Sequence, residues 1–190
     1  MNLSINTIVK LKITGSKPFN KTEKKPAGTK LQARYTREEG GLSQFEIKVF
    51  ELNEQSAKSF KGKTIQLDNC SVFKPDQQYA SSYWSTASAP VEIKETISKP
   101  VVNTVITGKV EAIEPFSGEK MSGYTLFFIE NVEDTETIYN VKITALDEAS
   151  AKSFLQKPIK VEQCKPLSKT SFITEEKPTL IQQQPTPHKE

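Results

Sequence analysis

The chain is short of the residues that most site chemistry needs. Two cysteines, Cys70 and Cys164, occur in 190 residues, too few for a disulfide scaffold and without the close spacing of a metal knuckle. The single histidine, His188, lies near the C-terminus, which argues against a zinc site or a histidine-based triad. The 8 glycines form no phosphate cradle, and there is no Gly-x-Ser-x-Gly turn. Carboxylates such as Glu51, Glu54, Asp147 and Glu148 are scattered or stand where helix caps are needed. No catalytic residue, metal or cofactor is therefore expected, and binding is the favoured class. No apolar run approaches the roughly 18 residues that cross a bilayer. The start, Met1-Asn2-Leu3-Ser4-Ile5-Asn6, lacks the basic and apolar pattern of a secretion signal. The expected compartment is the cytoplasm.

What is present is a repeat. Residues 45–70, "FEIKVFELNEQSAKSFKGKTIQLDNC", align without a gap with 139–164, "YNVKITALDEASAKSFLQKPIKVEQC", at an offset of 94, and 11 of the 26 positions are identical. The run Ser56–Phe60 returns as Ser150–Phe154, and Cys70 as Cys164. Upstream, "NTIVKLKI" at 6–13 faces "NTVITGKV" at 103–110, and Pro18-Phe19 faces Pro115-Phe116, now at an offset of 97. Such units are far longer than solenoid repeats, so the pattern reads as a duplicated domain.

Each copy reads as a small β domain. Hydrophobic residues make up 35% of the chain, enough for a thin core and a wet outer face. Leu3, Ile5, Val9, Leu11 and Ile13 alternate with polar residues, which predicts a half-buried strand. Copy two places Gly108 where copy one has Leu11, which predicts a bulge or bend. Residues 29–36 and 124–130 read as second strands, 38–41 and 131–137 as turns, and Phe45, Ile47 and Val49 with Tyr139, Val141 and Ile143 as third strands. Asn53 and Asp147 are N-caps for a two-turn helix over the repeated Ser-Ala-Lys-Ser-Phe. Ile65 and Leu67, with Ile159 and Val161, begin a fourth strand; 79–84 with 91–95, and 170–174, supply a fifth. Three strands, a helix and two strands is the order of a five-stranded Greek-key barrel, the OB-fold. The expected architecture is mainly β: repeat one over 1–84, a linker over 85–100 that contributes a strand, repeat two over 101–174, and a disordered tail over 175–190.

The stretches "IKVFELNEQSAKSFKGKTIQLDNCSVFK" and "VKITALDEASAKSFLQKPIKVEQCK" resemble the strand–turn–strand region of the filamentous-phage gene V type of single-stranded DNA-binding protein. That resemblance implies a phage, plasmid or mobile-element protein that coats single-stranded DNA without sequence preference. Family members usually carry one such domain and dimerise, whereas here two lie in one chain.

Net charge is only +3, but it is unevenly spread. Between residues 10 and 37, Lys10, Lys12, Lys17, Lys21, Lys24, Lys25, Lys30, Arg34 and Arg37 face one acid, Glu23, giving +8. With Phe19 and Tyr35 among them, these residues suit a polyanion groove in which cations meet phosphates and flat rings stack on bases. Tyr79, Tyr83 and Trp84 are candidate stacking rings near the loop before the last strand, and Phe128 of the Phe127-Phe128 pair is assigned to the outer face. A solvated lysine loop and a packing role for Tyr83-Trp84 remain open. So do two other readings of the whole chain, a non-enzymatic protein-interaction or assembly module, and an RNA binder. The leading expectation is single-stranded DNA as partner, with a homo-oligomer or cooperative assembly on it and no membrane.

Overall fold

Alternating apolar and polar side chains place most of the chain in strands. The structure, a computed structural model, describes residues 2–72, 83–168 and 170–181. Its order is β1 (Ser4–Lys12), β2 (Gly15–Phe19), β3 (Gly28–Thr36), β4 (Leu42–Phe50), α1 (Glu54–Ser59), β5 (Thr64–Leu67), β6 (Ser71–Val72), β7 (Tyr83–Thr86) and β8 (Val91–Ile93). There follow β9 (Val101–Lys109), β10 (Ala112–Ser117), β11 (Ser122–Val132), β12 (Thr135–Thr144), α2 (Glu148–Phe154), β13 (Pro158–Pro166), β14 (Ser171–Thr174) and β15 (Thr179–Leu180). The protein is mainly β. It divides into two units, Asn6–Thr104, and Met1–Ile5 with Val105–Glu190.

In the unit Asn6–Thr104, one sheet runs β2-β3-β4-β7-β6, and β5 joins β1 to β8. Its core holds Val9, Leu11, Ile13, Leu31, Phe45, Ile47, Ile65, Leu67 and Trp84. In the other unit the strand order is β10-β11-β12-β14-β13-β9, with β15 beside β13. There the core holds Ile106, Leu126, Phe128, Val141, Ile143, Ile159 and Phe172. Among the described residues no sheet closes on itself, so open sheets stand where closed five-stranded barrels were expected.

Several local devices recur at the 94-residue offset. Asn53 accepts a hydrogen bond from the Ser56 amide at 2.8 Å, and Asp147 from the Ser150 amide at 2.9 Å. Each is an N-cap of the kind that contributes about 1 kcal/mol. After α1 the Gly62 amide donates to the Ile13 carbonyl at 2.8 Å, and after α2 the Gln156 amide donates to the Val110 carbonyl at 2.8 Å. The left-handed backbone positions Glu51, Gly62 and Asn69 correspond to Ala145, Gln156 and Gln163.

The structure corrects two expectations, the 131–137 turn and the tail, and gives detail to two others. Gly108 lies inside β9, where an added Cβ would sit 2.8 Å from Leu3 Cδ1 and 3.0 Å from Phe128 Cδ1, so close packing calls for glycine there. The 131–137 turn shrinks to Glu133 and Asp134, both at positive φ, as a two-residue hairpin requires. The strand expected within 85–100 is β8, and the ion pairs Lys10–Glu95, Lys63–Glu92 and Lys99–Glu38 fasten the same stretch to its unit. The first part of the expected tail is ordered: β15 pairs with Ile159 and Lys160, and the Ile181 amide donates to the Pro158 carbonyl at 3.0 Å. Residues 182–190 lie outside the described chain.

Cys70 and Cys164 are both buried, and burial pushes each thiol up to about 12. Thiolate is the reactive form. Neither cysteine is therefore expected to react with a disulfide reagent at pH 8 until the protein is unfolded. Rapid labelling of the native chain, followed by absorbance, would contradict this burial.

Candidate nucleic-acid interface

Strand alternation gives β3 two faces. Thr29, Leu31 and Ala33 are buried, which leaves Gly28, Lys30, Gln32 and Arg34 on the outer face. The antiparallel registers then set rows across three strands. Lys17, Lys30 and Lys48 form one row across β2, β3 and β4, and Phe19, Gly28 and Phe50 form the next. The two rows share a face because their members are two residues apart on each strand.

Gly28 makes the aromatic row possible. A Cβ there would lie 2.1 Å from the Val49 carbonyl oxygen and 2.9 Å from Phe19 Cζ. Over the gap, Phe19 and Phe50 meet edge to face, with centroids 5.9 Å apart and planes at 85°. Lys48 Nζ sits 5.5 Å from the Phe19 ring centre, and Lys25 Nζ 5.6 Å from that of Phe50. Cations held over ring faces interleave positive charge with stacking surface.

One acid interrupts this field. Glu46 lies 3.0 Å from Lys30 Nζ and accepts hydrogen bonds at 2.7 Å from both Gln32 and Gln44. Burial alone would raise the pKa of its carboxyl. The hydrogen bonds from Gln32 and Lys30, the Lys30 charge and the Gln44 bond outweigh it and hold the pKa below the usual carboxylate value. With a depressed pKa, the stability this carboxylate adds is present at neutral pH and is lost as pH falls through the folded value.

Of the residues expected from sequence, Lys17, Phe19, Lys25, Lys30 and Arg34 are brought together on or beside this face. Lys21 and Lys24 are exposed on the loop joining β2 to β3, and Arg37 is exposed in the turn after β3. Lys10 and Lys12 belong to β1, opposite Gln66 and Thr64 of β5, and the Lys10 ammonium is 2.6 Å from Glu95. Both lie off the lysine rows.

Three ring assignments are corrected. Tyr35 shares the inward phase of Leu31 and Ala33 and packs against the core. Trp84 is only 2% exposed, because β7 lies parallel to β4 and sets it opposite Ile47. Phe128 is 1% exposed in the other core; its neighbour Phe127 takes the outer phase. Of Tyr83 only the strand position is described, opposite Glu46, and Tyr79 lies outside the described residues. Sequence reasoning missed Lys48, Phe50 and Gly28. Their signal was the strand register, which no local pattern reveals.

No family model matches the chain, and no curated protein does. Solved structures do resemble it, among them two forms of one protein. A deletion variant of the single-stranded DNA binding protein from Thermus aquaticus superposes with a TM-score of 0.52 at 12% identity, over 99% of each chain. The wild-type protein gives 0.50 at 12% identity, over 98% of this chain and 97% of its own. The likeness is one of fold.

The burial of Trp84 has a direct consequence for measurement. Its emission is expected to be blue-shifted, poorly quenched by acrylamide and unaffected by stacking of a bound base. A red emission maximum with strong acrylamide quenching would show instead that the ring is open to solvent.

Proposed function

We propose that the chain binds an unpaired DNA strand without regard to base sequence, on the outer face of β2, β3 and β4. In this reading two OB-type units, descended from one duplicated domain, coat and protect single strands during replication, recombination or transfer of a phage or mobile element. The observation that carries it is the pair of adjacent rows, three lysines beside an edge-to-face phenylalanine pair. Like charges directly opposite on neighbouring strands destabilise a sheet. Glu46 beside Lys30 and the Phe19 ring beneath Lys48 offset part of that repulsion, and a bound polyanion would offset more. Phosphates would meet Lys17, Lys30 and Lys48 with release of counterions, while bases stack on Phe19 and Phe50 at about 1–3 kcal/mol each. The fold shared with the single-stranded DNA binding protein from Thermus aquaticus supports the same reading.

The test is fluorescence anisotropy of an end-labelled oligo-dT with the full chain. Binding should weaken steeply with salt, and a mixed-sequence strand should bind within a few-fold of oligo-dT. A matched RNA strand compares the two sugars. No binding at low ionic strength, together with self-association of the free chain, would favour an assembly module instead. Within this site Glu46 is the only acid among the paired positions described. Glu46→Gln is expected to tighten binding several-fold at low salt and little at high salt. Weaker binding would show that Glu46 serves to aim Lys30 rather than to neutralise it.

A further inference from the structure

The unit containing Val105–Glu190 repeats the aromatic row with different surroundings. Phe116 on β10, Gly123 on β11 and Thr144 on β12 stand in one cross-strand row, as Phe19, Gly28 and Phe50 do. A Cβ on Gly123 would lie 2.0 Å from the Ile143 carbonyl oxygen, the same obstacle that Gly28 meets at Val49. Lys142 Nζ sits 5.7 Å from the Phe116 ring centre, as Lys48 does from Phe19. The next row replaces Lys17, Lys30 and Lys48 by Glu114, Thr125 and Lys142. One row further, Ala112, Phe127 and Asn140 stand where the first unit has Gly15, Gln32 and Glu46. Beyond these, Ile129 faces Ile138, both exposed.

We infer that this face is a second site for unpaired nucleotides, one that holds bases by ring and apolar contact and hardly holds phosphate. Phe116 and Phe127 offer ring surface on the same outer face, with Lys142 as the one cation in the three rows described. The inference rests on the proposed single-strand binding and adds a division of labour to it. A site with several phosphate contacts loses affinity with a log–log salt slope of about −0.7 per contact, whereas one with a single contact changes little. The Lys17–Lys30–Lys48 face should dominate at low salt, and the Phe116–Phe127 face should supply most of what survives at high salt.

The experiment irradiates the full chain bound to oligo-dT carrying 5-iododeoxyuridine, maps the crosslinks by mass spectrometry, and measures affinity of Phe19→Ala, Phe116→Ala and Phe116→Tyr in low and high salt. Crosslinks at Phe116 or Phe127 as well as at Phe19 or Phe50 are expected. Phe116→Ala should lose between about fivefold and a hundredfold in affinity at high salt, the range for one stacked base, and Phe116→Tyr should restore most of it. Crosslinks confined to Phe19 and Phe50, with Phe116→Ala silent at both salts, would overturn the second site and leave the first intact. No crosslink anywhere and no affinity would overturn both.

Discussion

Replacing Lys17, Lys30 and Lys48 together by glutamine is expected to weaken binding to oligo-dT about a hundredfold at 0.1 M salt and scarcely at all near 1 M. Each phosphate contact on a single strand carries a slope of about 0.7, so removing three should make the log–log salt dependence shallower by about 2. The three side chains stand opposite one another across β2, β3 and β4, so their removal relieves repulsion and should not lower folded stability. The Lys30–Glu46 ion pair and the contact of Lys48 with the Phe19 ring are lost with them, and a partly exposed ion pair contributes about 0–1 kcal/mol. A salt titration by anisotropy, with circular dichroism as the folding control, reads both effects. An unchanged slope in a folded variant would remove the lysine row from the interface.

The second large effect is structural. Gly28→Ala should destabilise the protein by about 3 kcal/mol, the upper end of ordinary overpacking, and Gly123→Ala by a similar amount. In both cases the obstacle is a backbone oxygen, at 2.1 Å for Gly28 and 2.0 Å for Gly123, which no change of rotamer can move aside. The strand pairs Gly28↔Phe50 and Gly123↔Thr144 would have to part. By contrast Gly40 and Gly41 meet nothing within 4 Å, and they are glycine because φ is positive there. Urea unfolding curves measure the difference. A cost below about 1 kcal/mol at Gly28 would mean that the strands do not approach as closely as described.

Much of the scaffold was legible in the sequence. Period-two alternation located β1, β4 and β12, and the Asn53 and Asp147 caps located both helices, since these are signals carried by adjacent residues. Side-chain direction was less legible. Phe128 was assigned outward by alignment with the basic strand of the first copy, whereas the unbroken register of β11 keeps Leu126 and Phe128 on the inner face. Trp84 looked exposed among serines and threonines, yet Ser85 and Thr86 are themselves buried beside it. The basic segment was visible in the sequence as an excess of charge but not as a face. Lys10 sits on a strand paired with β5, and Lys48 and Phe50, which complete the rows, lie outside the segment altogether. Which residues meet across strands depends on register, and register is fixed by pairings between distant parts of the chain.

Gly108 and Phe128 have a bearing on how such a chain reaches its fold. Two stretches alike at 11 of 26 positions invite a strand to dock on the wrong half during folding, a known hazard of repeated sequences. One core combines Leu11 with Ala33, whereas the other sets Gly108 against the Phe128 ring. A crossed docking would crowd Leu11 against Phe128, or leave a void between Gly108 and Ala33, and either outcome is disfavoured. The large–small exchange therefore makes each core a poorer fit for the matching strand of the other half.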